Sequence, residues 1–166
     1  SDEQQHFVTS HEIAIEMLET AVADPTLPSG DTVEVQSIAA LDALIGRKTG
    51  IPEMVNGQWE LQHRYVNFTR SGISISLMYV NAADAQQTIV GVINLISNPQ
   101  YMMLSFEQSY EGTLQQFDGL NFYITENINK PVALWQGDDK LLLFSGRTSQ
   151  EEVTSLLRTI IREIGE

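Results

Sequence analysis

From Gln58 onward large side chains recur at every second position, and this period limits the folds open to the chain more than any other feature. Trp59, Leu61, His63 and Tyr65 alternate with Glu60, Gln62 and Arg64, as in a strand with one face in a core and the other in water. Thr69-Arg70-Ser71-Gly72 reads as a hairpin. Ile73, Ile75, Leu77 and Tyr79 then alternate with Ser74, Ser76 and Met78. After a turn at Asn81 to Asp84, the third strand, Gln87 to Ser97, is apolar on both faces: Ile89, Ile93 and Leu95 on one, Val90, Val92 and Ile96 on the other. A fourth strand is expected over Tyr101 to Tyr110, after Asn98-Pro99. Leu120, Phe122 and Ile124 mark a fifth, and Val132 to Gln136 a sixth. Gly137-Asp138-Asp139 is its turn, and Lys140 to Ser145 a seventh strand. The gaps are too short for helical crossovers, so the sheet is expected to be antiparallel.

Helical spacing appears at both ends. Ser10 to Ala23 carries Ile13, Ala14, Met17, Leu18, Ala21 and Val22 on one stripe, and Asp24-Pro25 ends it. Val33 and Val35 mark a short extended piece; Ser37 then caps a helix from Ile38 to Ile45, closed by Gly46. Residues 46–58 read as an irregular connection with Gly46, Gly50, Pro52 and Gly57. Near the end, Ser149 and Glu152 have capping-box spacing, and Val153, Leu156, Leu157, Ile160, Ile161 and Ile164 share one face. Such a face needs a partner, and the sheet is the large one on offer. The expected fold is α+β: a curved antiparallel sheet of about seven strands, with N-terminal helices and a C-terminal amphipathic helix on one face. Residues 1–9 are expected to fray, and 10–166 to form one domain.

Charge and composition exclude whole classes of chemistry. The formal net charge is −13, which argues against nucleic acid and anionic membrane surfaces as partners. Residues 1–60 hold 11 acidic and 2 basic side chains, either a solvated surface or an acidic patch for a basic partner or a metal ion. Without Cys there is no disulfide framework, thiolate metal site or cysteine nucleophile. No apolar run is long enough to span a membrane as a helix. The chain opens on Ser1-Asp2-Glu3-Gln4-Gln5 without Met, read as a trimmed start, so an upstream anchor or export signal would not be visible in it.

The search for a catalytic constellation returns little. His11-Glu12 would need a second His at position 15 for a zinc-protease pattern, and Ile15 stands there; His6 lies in the polar terminus. His63 reads as a half-buried histidine hydrogen-bonded in place rather than a general base. There is no Gly-x-Ser-x-Gly elbow and no phosphate-cradling Gly loop. Asp118, Asn121, Asp138 and Asp139 lack calcium-loop spacing. Glu107 and Glu111 would stand about 13 Å apart on a strand, too far for paired carboxylate chemistry. No catalytic, metal or cofactor residues are assigned. Most of Trp59, Tyr65, Tyr79, Phe122, Tyr123, Trp135 and Phe144 read as core. The two-faced third strand is the exception, since its second face needs a cover of its own. Val90, Val92, Ile96, Met78, Met102 and Met103 are therefore the candidate ligand or partner surface.

Leu134-Trp135-Gln136-Gly137-Asp138-Asp139-Lys140, followed by Leu143-Phe144-Ser145-Gly146, Ser149, Glu151-Glu152 and Val153, resembles a bacterial domain family of unknown function. In that family a Trp-bearing strand, a tight polar turn, an apolar strand ending in Gly and a Ser-x-Glu-Glu-led helix close the domain. The resemblance is strongest over residues 119–161 and extends through Pro52, Gly57, Trp59 and Tyr79-Val80-Asn81; Ile51 to Gly57 lacks a second Pro of the pattern. It implies an extracytoplasmic domain that follows a single transmembrane helix and is often linked with anti-sigma factors; related curved-sheet domains include lipoprotein carriers. It carries over no functional residues. The expectation is a non-enzymatic sensory or interaction domain of a membrane-tethered regulator, meeting a protein partner. The alternative is a carrier of lipid or another apolar ligand, held between the sheet and its helices or in the concave sheet face. A carboxylate-based hydrolase comes last, because no convergent groups are seen.

Overall fold

In the computed structural model, which describes residues 32–69, 72–96, 113–117, 120–127, 130–137 and 139–165, the period-two segments pair into one open antiparallel sheet. The strands are β1 (Thr32–Glu34), β2 (Met54–Val55), β3 (Trp59–Thr69), β4 (Gly72–Asn81), β5 (Thr88–Ile96), β6 (Thr113–Phe117), β7 (Leu120–Asn127), β8 (Lys130–Gln136) and β9 (Lys140–Gly146). Their order is β1-β3-β4-β5-β9-β8-β7-β6, with β2 beside β3. Two meanders, β3-β4-β5 and β6-β7-β8-β9, thus join where β9 pairs antiparallel with β5. Seven of the strands have five or more residues, the number expected; β1 and β2 are short additions along β3. The fold is α+β.

Two helices lie among the described residues, α1 (Ile38–Ile45) and α2 (Gln150–Ile164). Ser37 caps α1 by accepting from the Ala40 amide, and Gly46 closes it in the left-handed region at φ 78°. In α2, Val153, Leu156, Leu157, Ile160 and Ile161 are all buried, as the stripe requires. They meet Trp59, Leu61, Val66, Ile75, Leu77, Tyr79, Ile89, Ile93, Trp135, Leu142 and Phe144 in one core that also takes Leu41 of α1. Burial of that size is worth about 1.5–3 kcal/mol per large side chain, which is why both helices are held against the same face.

Three features depart from the sequence reading. Residues 46–58 are not wholly irregular: β2 turns back on β3 through Asn56 and Gly57, both at positive φ, and the Gln58 amide donates to Val55 O at 3.0 Å. A strand not expected, β6, precedes Asp118-Gly119 and pairs with β7. In β3 the alternation breaks: Leu61 stands opposite Tyr79 but His63 opposite Met78, so Gln62 is an extra, bulged residue. The expected helix at Ser10 to Ala23, the frayed residues 1–9 and the expected strand at Tyr101 to Tyr110 lie outside the described residues.

Candidate functional site

The bulge decides which side chains share a face. Before it, Trp59 and Leu61 point into the core under the helices; after it, Arg64 and Val66 do, opposite Leu77 and Ile75. His63 and Tyr65 are therefore carried to the other face, away from Trp59 and Leu61, which corrects the single alternation expected over 59–65. Arg64 is fixed where it lands. Its Nη2 donates to Glu53 Oε2 at 2.6 Å and to Leu61 O at 3.0 Å, while Glu53 Oε1 accepts from the first amide of α1.

The second face reads across the sheet in two rows. One runs Glu34, Tyr65, Ser76, Val92, Leu143, Leu134; the other His63, Met78, Val90, Ser145, Val132. Each row is polar at the β1–β3 edge; the first is apolar from β5 onward, and the second is apolar from Met78 except for Ser145, whose hydroxyl donates to Pro131 O. Of the expected surface, Met78, Val90 and Val92 come together here, the two valines buried and Met78 half-buried against them. Ile96 pairs with Gly72 at the far end of β5. Met102 and Met103 lie outside the described residues.

The polar end is a cluster that sequence reasoning did not assemble. Glu34 Oε1 approaches His63 Nδ1 at 3.5 Å, both side chains about one-third exposed. The imidazole stacks beside the Tyr65 ring, centroids 6.2 Å apart and planes at 16°. Tyr65 is only 4% exposed, yet its hydroxyl makes no hydrogen bond, and neither does His63 Nδ1. The expected hydrogen bond fixing His63 is thus not made through Nδ1. Burial, then the Glu34 carboxylate, push the Tyr65 hydroxyl above the ordinary tyrosine range. By contrast Thr49, Arg64, Asn81, Lys140, Ser145 and Thr154, the other buried polar residues described, each make at least one hydrogen bond. The signal available in the sequence was the phase slip itself: Trp59 and Leu61 at odd positions, Val66 and Phe68 at even ones.

Chemically, the cluster is rich in acceptors. A carboxylate accepts only; the phenol oxygen and an unprotonated Nδ1 have free lone pairs. Ser76 stands opposite Tyr65 rather than His63, and no hydrogen bond joins it to His63 Nδ1. Among the described residues no three His, Cys, Asp or Glu gather as a metal-binding group.

On the helix side, a cleft of about 10 Å³ lies between the end of α2 and the sheet, with Arg47, Thr49, Leu95, Lys140 and Ile164 among its lining. That is room for about one water molecule. Lys140 Nζ donates to Asp139 Oδ1 at 3.1 Å, and this bond holds the Asp139 carboxyl below the ordinary range.

No family model matches the chain, and no curated protein or solved structure is detectably similar to it.

Proposed function

We propose that this chain is a non-catalytic interaction domain, the extracytoplasmic part of a membrane-tethered regulator of the anti-sigma kind, and that it meets its partner with the β1–β3 edge of its second sheet face. The observation that carries this reading is the Glu34–His63–Tyr65 cluster. Glu34 and His63 are partly exposed beside the buried Tyr65, and neither the Tyr65 hydroxyl nor His63 Nδ1 has a hydrogen-bond partner. The location and the tether rest on the likeness of Leu134 to Val153 to the domain family described above. No helix among the described residues is long and apolar enough to cross a membrane, so on this reading the tether belongs to another part of the gene product.

An alkaline phosphatase fused after residue 166 of the full gene product tests the location, and replacing residues 32–165 by a flexible linker tests the regulation. Active phosphatase together with altered transcription of the regulated genes is expected. An inactive fusion, or transcription that ignores the replacement, overturns the reading.

The alternative, an apolar-ligand carrier, draws on the packed Met78, Val90 and Val92. Native mass spectrometry of gently purified protein distinguishes it, since a carrier arrives with added mass.

A further inference from the structure

We infer that the amphipathic segment at residues 10–23 docks as a helix across the second sheet face, over β5, β9 and β8, and makes that face a second core layer. The inference concerns the apolar part of the face and does not rest on the interaction-domain reading.

Val90 and Val92 of β5, Leu143 of β9, and Val132 and Leu134 of β8 share the second face, and each is 9% exposed or less. None of the five belongs to the core that α1 and α2 join. The pleat explains the division, because their chain neighbours Ile93, Leu142, Ala133 and Trp135 point to the helix side and fill that core. Strands that are apolar on both faces need a cover on each, and a helix with one apolar stripe is the usual one. The two helices described account for one face. The other calls for an occupant of comparable apolar width.

The segment 10–23 lies outside the described residues and carries in its sequence what that face needs. Ile13, Ala14, Met17, Leu18, Ala21 and Val22 fall on one stripe, with Glu12, Glu16 and Glu19 away from it. As a helix its 14 residues extend about 21 Å, against about 10 Å from β5 to β8. Eight residues, 24–31, join it to Thr32, and when extended they reach about 27 Å. From β1 to β5 is three strand spacings, about 14 Å, and to β8 five, about 24 Å. The helix side is closed to it: α1 and α2 pack there, and the cleft beside α2 admits about one water molecule. The second face is within reach and has the matching surface. The N-terminal helix then lies opposite α1 and α2 rather than beside them, unlike the one-sided arrangement read from the sequence. The apolar rows become interior, which leaves no room there for an apolar ligand, and Glu34 and His63 stay outside the cover at the β1–β3 edge.

The test is a methyl nuclear Overhauser experiment on the full 166-residue chain. Contacts from the Met17 and Leu18 methyl groups to those of Val92, Leu134 and Leu143 are expected, unchanged on dilution. Leu18→Ala should shift the Val92 and Leu143 signals and leave Ile93 and Leu142, on the helix side, where they were. Glu19→Ala, on the polar side of the stripe, should move neither pair. Contacts from Val92 and Leu143 to Met102 or Met103 in place of Met17 and Leu18 would overturn the inference, since the connection from β5 to β6 would then be the cover. Contacts that appear between differently labelled chains and fade on dilution would also overturn it, because the occupant would be a second copy. A Leu18→Ala variant that shifts Ile93 and Leu142 as much as Val92 and Leu143 would place the segment elsewhere. The measurement needs neither membrane nor regulator, so its failure and a failure of the location experiment are separately visible.

Discussion

The indole Nε1 of Trp59 donates to Glu152 Oε2 at 3.2 Å, tying β3 to the first turn of α2 across 93 residues of sequence. The Ser149 side chain still accepts from the Glu152 amide, so half of the expected capping box is present. The Glu152 carboxylate is spent on Trp59, an indole 1% exposed that needs an acceptor inside the core. Glu152→Ala should therefore cost more than an ordinary helix-surface change, about 1.5–3 kcal/mol, because it strands a buried donor. Urea unfolding followed by circular dichroism measures it. A loss below about 0.5 kcal/mol would mean that the bond carries little.

Gly91 of β5 lies under the Phe144 ring. A Cβ built there would sit 2.4 Å from ring carbons, and Phe144 is fully buried. Gly91→Ala forces the ring or two central strands to move, with an expected loss of about 1–3 kcal/mol. Calorimetry should find the melting temperature lowered by several degrees for a domain of this size.

Leu156 anchors α2 at the middle of its buried stripe. Leu156→Ala is expected to cost about 2–5 kcal/mol, whereas Ser155→Ala beside it should change stability by less than about 0.5 kcal/mol. Equal effects at the two positions would place the packed face of α2 elsewhere.

Tyr79 gives the fold an alkaline limit. Its hydroxyl donates to Pro52 O at 2.8 Å, and burial, aided by Glu53 and opposed by Arg64, raises it far above the ordinary tyrosine range. The unfolded chain releases this proton near pH 10, while the folded chain keeps it. The stability linked to the group is whole below that pH and is lost progressively as pH rises above it. Tyr79→Phe should cost about 1 kcal/mol at pH 7 and should flatten the decline in stability above about pH 10. Part of the decline should survive in that variant, because Tyr65 is shifted the same way.

Regular elements were legible where one physical signal spoke alone. The stripe of α2, the caps at Ser37 and Gly46, and the two apolar faces of β5 follow from spacing and turn chemistry, and the structure has them. What escaped was local and two-sided. Asn56-Gly57 is a hairpin signal, but β2 offers only two residues of pattern around it. β6 reads Thr-Leu-Gln-Gln-Phe, too polar to stand out, although Asp118-Gly119 after it marks a turn. The candidate site was hidden by the bulge. A strict period of two puts His63 and Tyr65 with Trp59, and one extra residue at Gln62 reverses them. Glu34 joins them only through the pairing of β1 with β3, a contact between segments about thirty residues apart that periodicity does not encode.

The bulge at Gln62 is what creates the site, so the most direct measurement is the nuclear Overhauser contacts of the His63 and Tyr65 rings. The account predicts contacts from His63 to Met78 and from Tyr65 to Ser76 and Glu34, with Val66 facing Ile75 on the helix side. Contacts from either ring to the Leu156, Leu157 or Ile160 methyl groups would contradict it, because both rings would then lie beneath α2 beside Trp59.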